Sequence, residues 1–152
     1  MEDMRERYGL GYFTRTGYFS YRFRTWSAMI RFYEDILKRA SSVVVVNLLR
    51  GRGRRMLDIG CALGIITQWF SSLGYEAVGL DISEVVHLAK SSKLEFVLSD
   101  ALSPPLHPSS FDLVVAFFVI EHLTDPIRFV LITRELLKDE GFLIITTDSG
   151  TR

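Results

Sequence analysis

The sequence predicts an α/β domain built on a mostly parallel sheet, and three observations carry that expectation. From residue 55 onward, short apolar segments of strand length alternate with segments of helical length. Glycines at 74 and 141 and the pair Asp125-Pro126 punctuate the helical segments as C-terminal and N-terminal signals should. The chain's 152 residues, 48% of them hydrophobic, suffice for one core and are short for two.

Taken in order, residues 24–39 read as a helix, because Trp26, Met29, Ile30, Tyr33 and Leu37 recur at three- and four-residue spacing. Residues 43–49 read as a second short helix running into Gly51, with a strand as the alternative for the four consecutive valines. Strands follow at 56–59, 77–81, 95–98, 111–118 and 142–147. Between them lie helices at 63–73, 83–91 and 126–137 and a Pro/Ser loop at 103–110. Strands joined by crossover helices give a parallel sheet covered on both faces. Right-handed crossovers and one reversal of winding give the order 3-2-1-4-5. The ligand crevice then lies where the first and fourth strands diverge, at the residues after Asp58 and after Ala116.

The formal charge is zero, with 18 Lys+Arg and 18 Asp+Glu, but this is a cancellation. Residues 1–55 hold twelve Lys/Arg against five Asp/Glu, and residues 56–152 hold six against thirteen. The basic third also carries ten of the nineteen aromatic residues. Cys61 is the single cysteine and no Cys/His cluster has zinc-ligand spacing, so no metal and a reducing, cytoplasmic setting are expected. The first residues lack the apolar core of a signal peptide, and the longest apolar run, 113–120, is far below the ~20 residues a bilayer span needs.

The residues at the first strand's end are Asp58-Ile-Gly60-Cys61-Ala62-Leu-Gly64, a strand turning through glycines into a helix. A phosphate-cradling P-loop requires a Lys that is absent, and a dinucleotide fingerprint requires glycines where the chain has Ala62 and Ile65. The acid two residues before Gly60 resembles the first motif of class I S-adenosylmethionine (SAM)-dependent methyltransferases. Val78-Gly-Leu-Asp81-Ile82 resembles the second motif of that family, and Phe96-Val-Leu-Ser-Asp100-Ala101 the third. The stretch from Pro105 through Phe117 to Glu121-His122 is similar to the ubiquinone/menaquinone-biosynthesis-like, type 11 branch.

The resemblance implies a Rossmann-like three-layer sandwich, preceded by an N-terminal helical cap over residues 1–50, with residues 51–152 as the SAM-binding core. It also implies that the family's usual strands 6 and 7 are missing. The exposed edge of the fifth strand would then invite pairing with another chain, as in a homodimer. Ala62, in place of the middle glycine, is tolerable only if the backbone there keeps negative φ.

By the same resemblance, Asp81 binds the ribose hydroxyls, since a carboxylate accepts two hydrogen bonds from a vicinal diol. Asp58, Gly60, Cys61, Ala62 and Gly64 shape the turn beside the methionine portion, Ile82 follows the ribose acid, and Asp100 with Ala101 contacts the adenine. Phe117 serves through its main chain. His122 stands where a general base could take a proton from a methyl acceptor. Each has a structural alternative: a cap for Asp81, a turn residue for Asp100, packing for Cys61 and His122. Tyr8, Tyr12, Tyr18 and Trp26 would line the acceptor pocket and Arg22 would hold an anionic acceptor, although most rings of the cap should simply pack it onto the sheet.

The implied activity is methyl transfer from SAM to a small-molecule acceptor, leaving S-adenosylhomocysteine (SAH). The alternative is an inactive SAM-binding module or a subunit of a larger methyltransferase. The motifs of nucleobase amino methylation and of cytosine C5 chemistry are absent, which argues against nucleic acid as acceptor. The basic run Arg50, Arg52, Arg54 and Arg55 reads as a solvated face.

Overall fold

The computed structural model describes residues 7, 8, 12, 25–40, 51–88 and 94–147. Helix α1 spans Trp26–Ala40, and Thr25 caps it by accepting from the Ala28 N–H at 3.2 Å. Then come β1 (Arg55–Ile59), α2 (Ile65–Ser72), β2 (Glu76–Asp81), a 3-10 turn (Glu84–Leu88) and β3 (Glu95–Leu98). After them follow β4 (Phe111–Phe117), a single 3-10 turn (Ile120–His122), α3 (Pro126–Leu136) and β5 (Leu137–Thr146). The strands form one parallel sheet of order β3-β2-β1-β4-β5, as the sequence predicts.

Alternation along the strands sorts side chains onto two faces. Met56, Leu113, Val115 and Phe117 point to one face and pack with Met29, Tyr33 and Leu37 of α1 and with Ile65, Trp69 and Phe70 of α2. Leu57, Ile59, Val114 and Ala116 point to the other, against Phe129 and Leu136 of α3. Helices thus cover both faces, the three-layer arrangement expected of a central parallel sheet whose strands are mostly apolar.

The ends of the elements depart from the sequence expectation in informative ways. Gly74 does close α2, with φ of 95°. Asp125 caps α3 as expected, its Oδ1 accepting from the Arg128 N–H at 2.9 Å, with Pro126 in the first turn. Gly141, however, does not end that helix. The chain passes from Leu136 straight into β5, and the left-handed residue is Glu140, φ 63°. Register with β4 jumps from Phe111↔Leu137 to Leu113↔Phe142, so residues 138–141 bulge out of the ladder opposite Asp112. Gly141 is needed for room: a Cβ there would lie 2.9 Å from the Lys138 carbonyl. Asp112 ties the bulge down, its Oδ2 accepting from Lys138 Nζ and from the Arg55 N–H, each at 2.8 Å.

The helix expected at 83–91 is a short 3-10 turn over Glu84–Leu88, and the one expected at 43–49 lies outside the described residues. Among the described residues β5 forms an outer edge of the sheet, with Phe142 exposed on it. Among the described residues, no helix is long and apolar enough to cross a membrane.

Candidate functional site

The crevice lies at the carboxyl ends of β1 and β4, where the reversal of winding places it. Its floor is the turn from β1 into α2. Gly60 adopts φ 76°, and a Cβ on it would meet Val119 Cγ2 at 2.3 Å, so only glycine lets the turn and the segment after β4 approach this closely. The Gly60 and Cys61 N–H groups both donate to the Leu80 carbonyl, at 2.7 and 3.1 Å, tying the turn to β2. Gly64, φ 71°, closes the turn by donating to the Cys61 carbonyl at 2.8 Å but does not line the cleft.

Ala62 corrects one sequence expectation. Its φ is +47°, the left-handed conformation that the missing glycine usually provides. That conformation costs roughly 1–2 kcal/mol in a non-glycine residue. The Ala62 N–H donates to Asp81 Oδ2 at 2.8 Å, and a hydrogen bond to a charged acceptor, worth roughly 1.5–3 kcal/mol, offsets the strain.

Asp81 is therefore the clasp between two loops. Its Oδ1 accepts from the Ser83 N–H at 2.8 Å while Oδ2 holds Ala62. Ser83 in turn caps the 3-10 turn, its Oγ accepting from the Val85 N–H at 3.3 Å, so Asp81 is not needed as that cap. Each carboxylate oxygen has a second lone pair. Burial pushes the Asp81 pKa up, against the pull of the Ser83, Ala62 and Ile82 backbone donors.

Asp58 sits deeper, 2% exposed. Burial raises its pKa to about 7, with the Asp81 charge adding to the rise and the hydrogen bond from Thr67 opposing it. Thr67 Oγ1, itself fully buried, donates to Asp58 Oδ2 at 2.7 Å. The sequence reading missed Thr67. Its signal is a hydroxyl three residues past Gly64, directly after two isoleucines, in the first turn of α2. Cys61 is buried against Gly79, where a Cβ would come within 2.8 Å of its sulfur. Burial and the neighbouring Asp58 and Asp81 hold its thiol protonated, which suits packing and not nucleophilic chemistry.

Beyond β3, Asp100 is exposed and makes a turn, Oδ1 accepting from the Leu102 N–H at 2.8 Å. Ser99 hangs on the Asp81 carbonyl through its N–H, also at 2.8 Å. Asp58, Gly60, Cys61, Ala62, Asp81, Ile82, Asp100, Ala101 and Phe117 all line one cleft, so nine of the ten residues expected to hold the cofactor come together.

The facing wall is aromatic. Phe118 takes φ 57° as β4 ends, with its N–H held by the Thr146 carbonyl at 3.0 Å. This turns the chain across the mouth of the cleft. Tyr33 of α1 contacts Phe117, ring centroids 4.9 Å apart. Tyr8 packs edge-on to Tyr12 at 5.2 Å and against His122 at 5.0 Å, and all three line the cleft. Met29 and Tyr33, which the helical stripe marks only as core, also reach it. Tyr18, Arg22 and the side chain of Trp26 lie outside the described residues. Among those residues, no group of three or more His, Cys, Asp or Glu is placed to hold a metal ion.

Comparison with known proteins agrees with this geometry. A curated ubiquinone biosynthesis O-methyltransferase of Ruegeria pomeroyi is 35% identical over 103 residues, covering 62% of this chain and 41% of that protein. The chain thus spans about two fifths of the length of such curated relatives. The crystal structure of the PH0226 protein from Pyrococcus horikoshii superposes with TM-score 0.64 at 25% identity, over 79% of this chain and 57% of that one. Phosphoethanolamine N-methyltransferase 2 of Haemonchus contortus, solved in complex with SAM, superposes with TM-score 0.57 at 29% identity, over 67% and 27%. Residues 57–145, more than half of the sequence, match the type 11 family described as a methyltransferase domain. A cleft assembled from the family's motif positions, a family match across them and solved relatives of the same fold lead to one assignment: this chain belongs to the type 11 branch of the class I SAM-dependent methyltransferases.

Proposed function

We propose that this chain is a cytoplasmic methyltransferase that binds SAM in the cleft and transfers its methyl group to a small-molecule acceptor, releasing SAH. The observation that carries the reading is the meeting of Asp58, Asp81 and Asp100, from three different strand ends, in one cleft with an aromatic facing wall. When bound, the cofactor supplies a methyl group already activated on a positively charged sulfonium, and the protein's part is orientation and exclusion of water.

Asp81 has spare lone pairs for the ribose hydroxyls, while the Gly60–Gly64 turn and Asp58 stand beside the methionine portion. Asp100 and Ala101 take the adenine, and the Phe117 carbonyl takes the amino group. His122, exposed at the mouth, is the base for the acceptor's proton. Tyr8, Tyr12 and α1, all from the 1–50 segment, belong to the cap over the cleft, and the sheet and its helices from residue 51 onward to the core. The β5 side of the described sheet, with Phe142 exposed on it, is where a second copy would pair, which sedimentation tests as a monomer–dimer equilibrium.

The deciding experiment combines thermal unfolding with product detection. At a hundredfold excess of SAH over its Kd, stability rises by about 2.7 kcal/mol, a Tm increase of roughly 5–10 °C for a chain this size. SAH release with an added acceptor establishes transfer. No shift with millimolar SAM or SAH, or a shift with NAD in their place, overturns the reading.

A further inference from the structure

We propose that the Tyr8 hydroxyl anchors the methyl acceptor, and that it selects an uncharged or anionic molecule presenting an oxygen lone pair over one carrying an ammonium group. The inference rests on the methyltransferase reading and adds to it the chemistry of the second substrate.

Tyr8 Oη is buried and has no hydrogen-bond partner among the described residues. An unmade hydrogen bond on a buried polar group costs roughly 1–3 kcal/mol, so such a group calls for an explanation. Packing keeps it in place: the ring is wedged between Tyr12 at 5.2 Å and His122 at 5.0 Å, on the cleft wall. The ring is therefore held against the histidine that would receive the acceptor's proton, on the wall of the cleft.

Two features define what it takes. Burial raises the phenol pKa, with Tyr12 and Glu121 adding to the rise and Arg7 opposing it, so near neutral pH the group keeps its proton to donate. The Arg7 guanidinium lies 5.6 Å over the Tyr8 ring centre, so the seat a cation would take on that ring is filled. An oxygen-bearing ligand meets a donor here, and the ring face that would attract an ammonium is already taken by Arg7.

The family match covers residues 57–145, and Tyr8 lies outside it. The cofactor is what family members share, so a residue outside the shared region is placed to distinguish acceptors.

The test uses the full chain loaded with SAH, with benzoate and benzylamine as probes of matched size, titrated calorimetrically against the wild type and Tyr8→Phe. Benzoate should bind the wild type at least tenfold more tightly than benzylamine. Tyr8→Phe should lose at least fivefold in benzoate affinity while SAH affinity stays within twofold. Its Tm should hold or rise, since the variant deletes an unsatisfied buried group. Absence of benzoate binding to the SAH-loaded wild type, equal binding of benzylamine, unchanged benzoate affinity in the variant, or a fall of several degrees in its Tm would each overturn the proposal. Failure of SAH to bind the wild type strikes instead at the methyltransferase reading.

Discussion

Asp58→Asn should make the ligand-free protein more stable at alkaline pH while weakening its hold on the cofactor. The wild-type carboxyl is lifted from its ordinary 3.8 to about 7, chiefly by burial. At 1.36 kcal/mol per pH unit, that shift corresponds to roughly 4 kcal/mol. The sign follows from proton counting. Between pH 3.8 and 7 the folded state holds a proton that the unfolded state has released, so stability falls as pH rises through that window and levels off above it. Asparagine keeps the shape and an oxygen to accept from Thr67 but cannot ionise, so this part of the slope disappears.

Asp81 is also raised and is coupled to Asp58 through their charges, so removing the Asp58 charge relieves part of the Asp81 slope as well and moves the comparison in the same direction. Thermal unfolding of both proteins at pH 4 and pH 8 provides the assay. The Tm difference, variant minus wild type, should grow by on the order of 10 °C between the two, at the 2–4 °C per kcal/mol usual for this size. SAH affinity at pH 8 should drop at least tenfold, by loss of the charge beside the methionine portion. A Tm difference that is the same at both pH values would refute the argument, because it would mean that Asp58 is not carrying a burial penalty.

Thr67→Val keeps the volume but removes the donor to Asp58, so the carboxylate should ionise even less readily and SAH affinity at pH 7 should fall about tenfold. Thr67→Ser should stay within threefold, and equal behaviour of the two variants in a binding titration would count against a role for the hydroxyl. Gly60→Ala combines a left-handed residue, roughly 1–2 kcal/mol, with the 2.3 Å approach to Val119, and should lower Tm by several degrees. Adding Val119→Ala should recover the steric part and leave the backbone part. A double variant no more stable than the single one would show that the clash is not real.

Much of this fold was legible because its signals are local. Apolar segments of strand length with helical segments between them announce a covered parallel sheet, and Asp125-Pro126 announces where α3 starts. Handedness of crossovers then places the crevice without any knowledge of contacts. The motif acids were legible for a similar reason: each stands at a strand end, and in a parallel sheet those ends converge.

What escaped was set by packing across distance. Gly141 looked like a helix stop, yet helix and strand abut, because the Asp112 clip to Lys138 and Arg55 fixes the bulge and the glycine only makes room. Ala62 looked confined to negative φ, yet it is left-handed, since the partner that offsets the strain is Asp81, nineteen residues away. Thr67 read as one more helix residue until the turn laid it on Asp58. Tyr8 is one of four rings expected at the acceptor pocket, and nothing local to it marks its hydroxyl as buried without a partner.

By itself, then, the sequence determined the layered α/β architecture, the strand order and the set of acids that share the cleft, since these follow from periodicity, chain direction and chirality. Only the tertiary structure decided which backbone strain is tolerated, which carboxyl is nearly neutral and which buried hydroxyls lack a partner among the described residues. Those properties depend on desolvation and on hydrogen-bond geometry between residues far apart in the chain, and neither exists until the layers have packed.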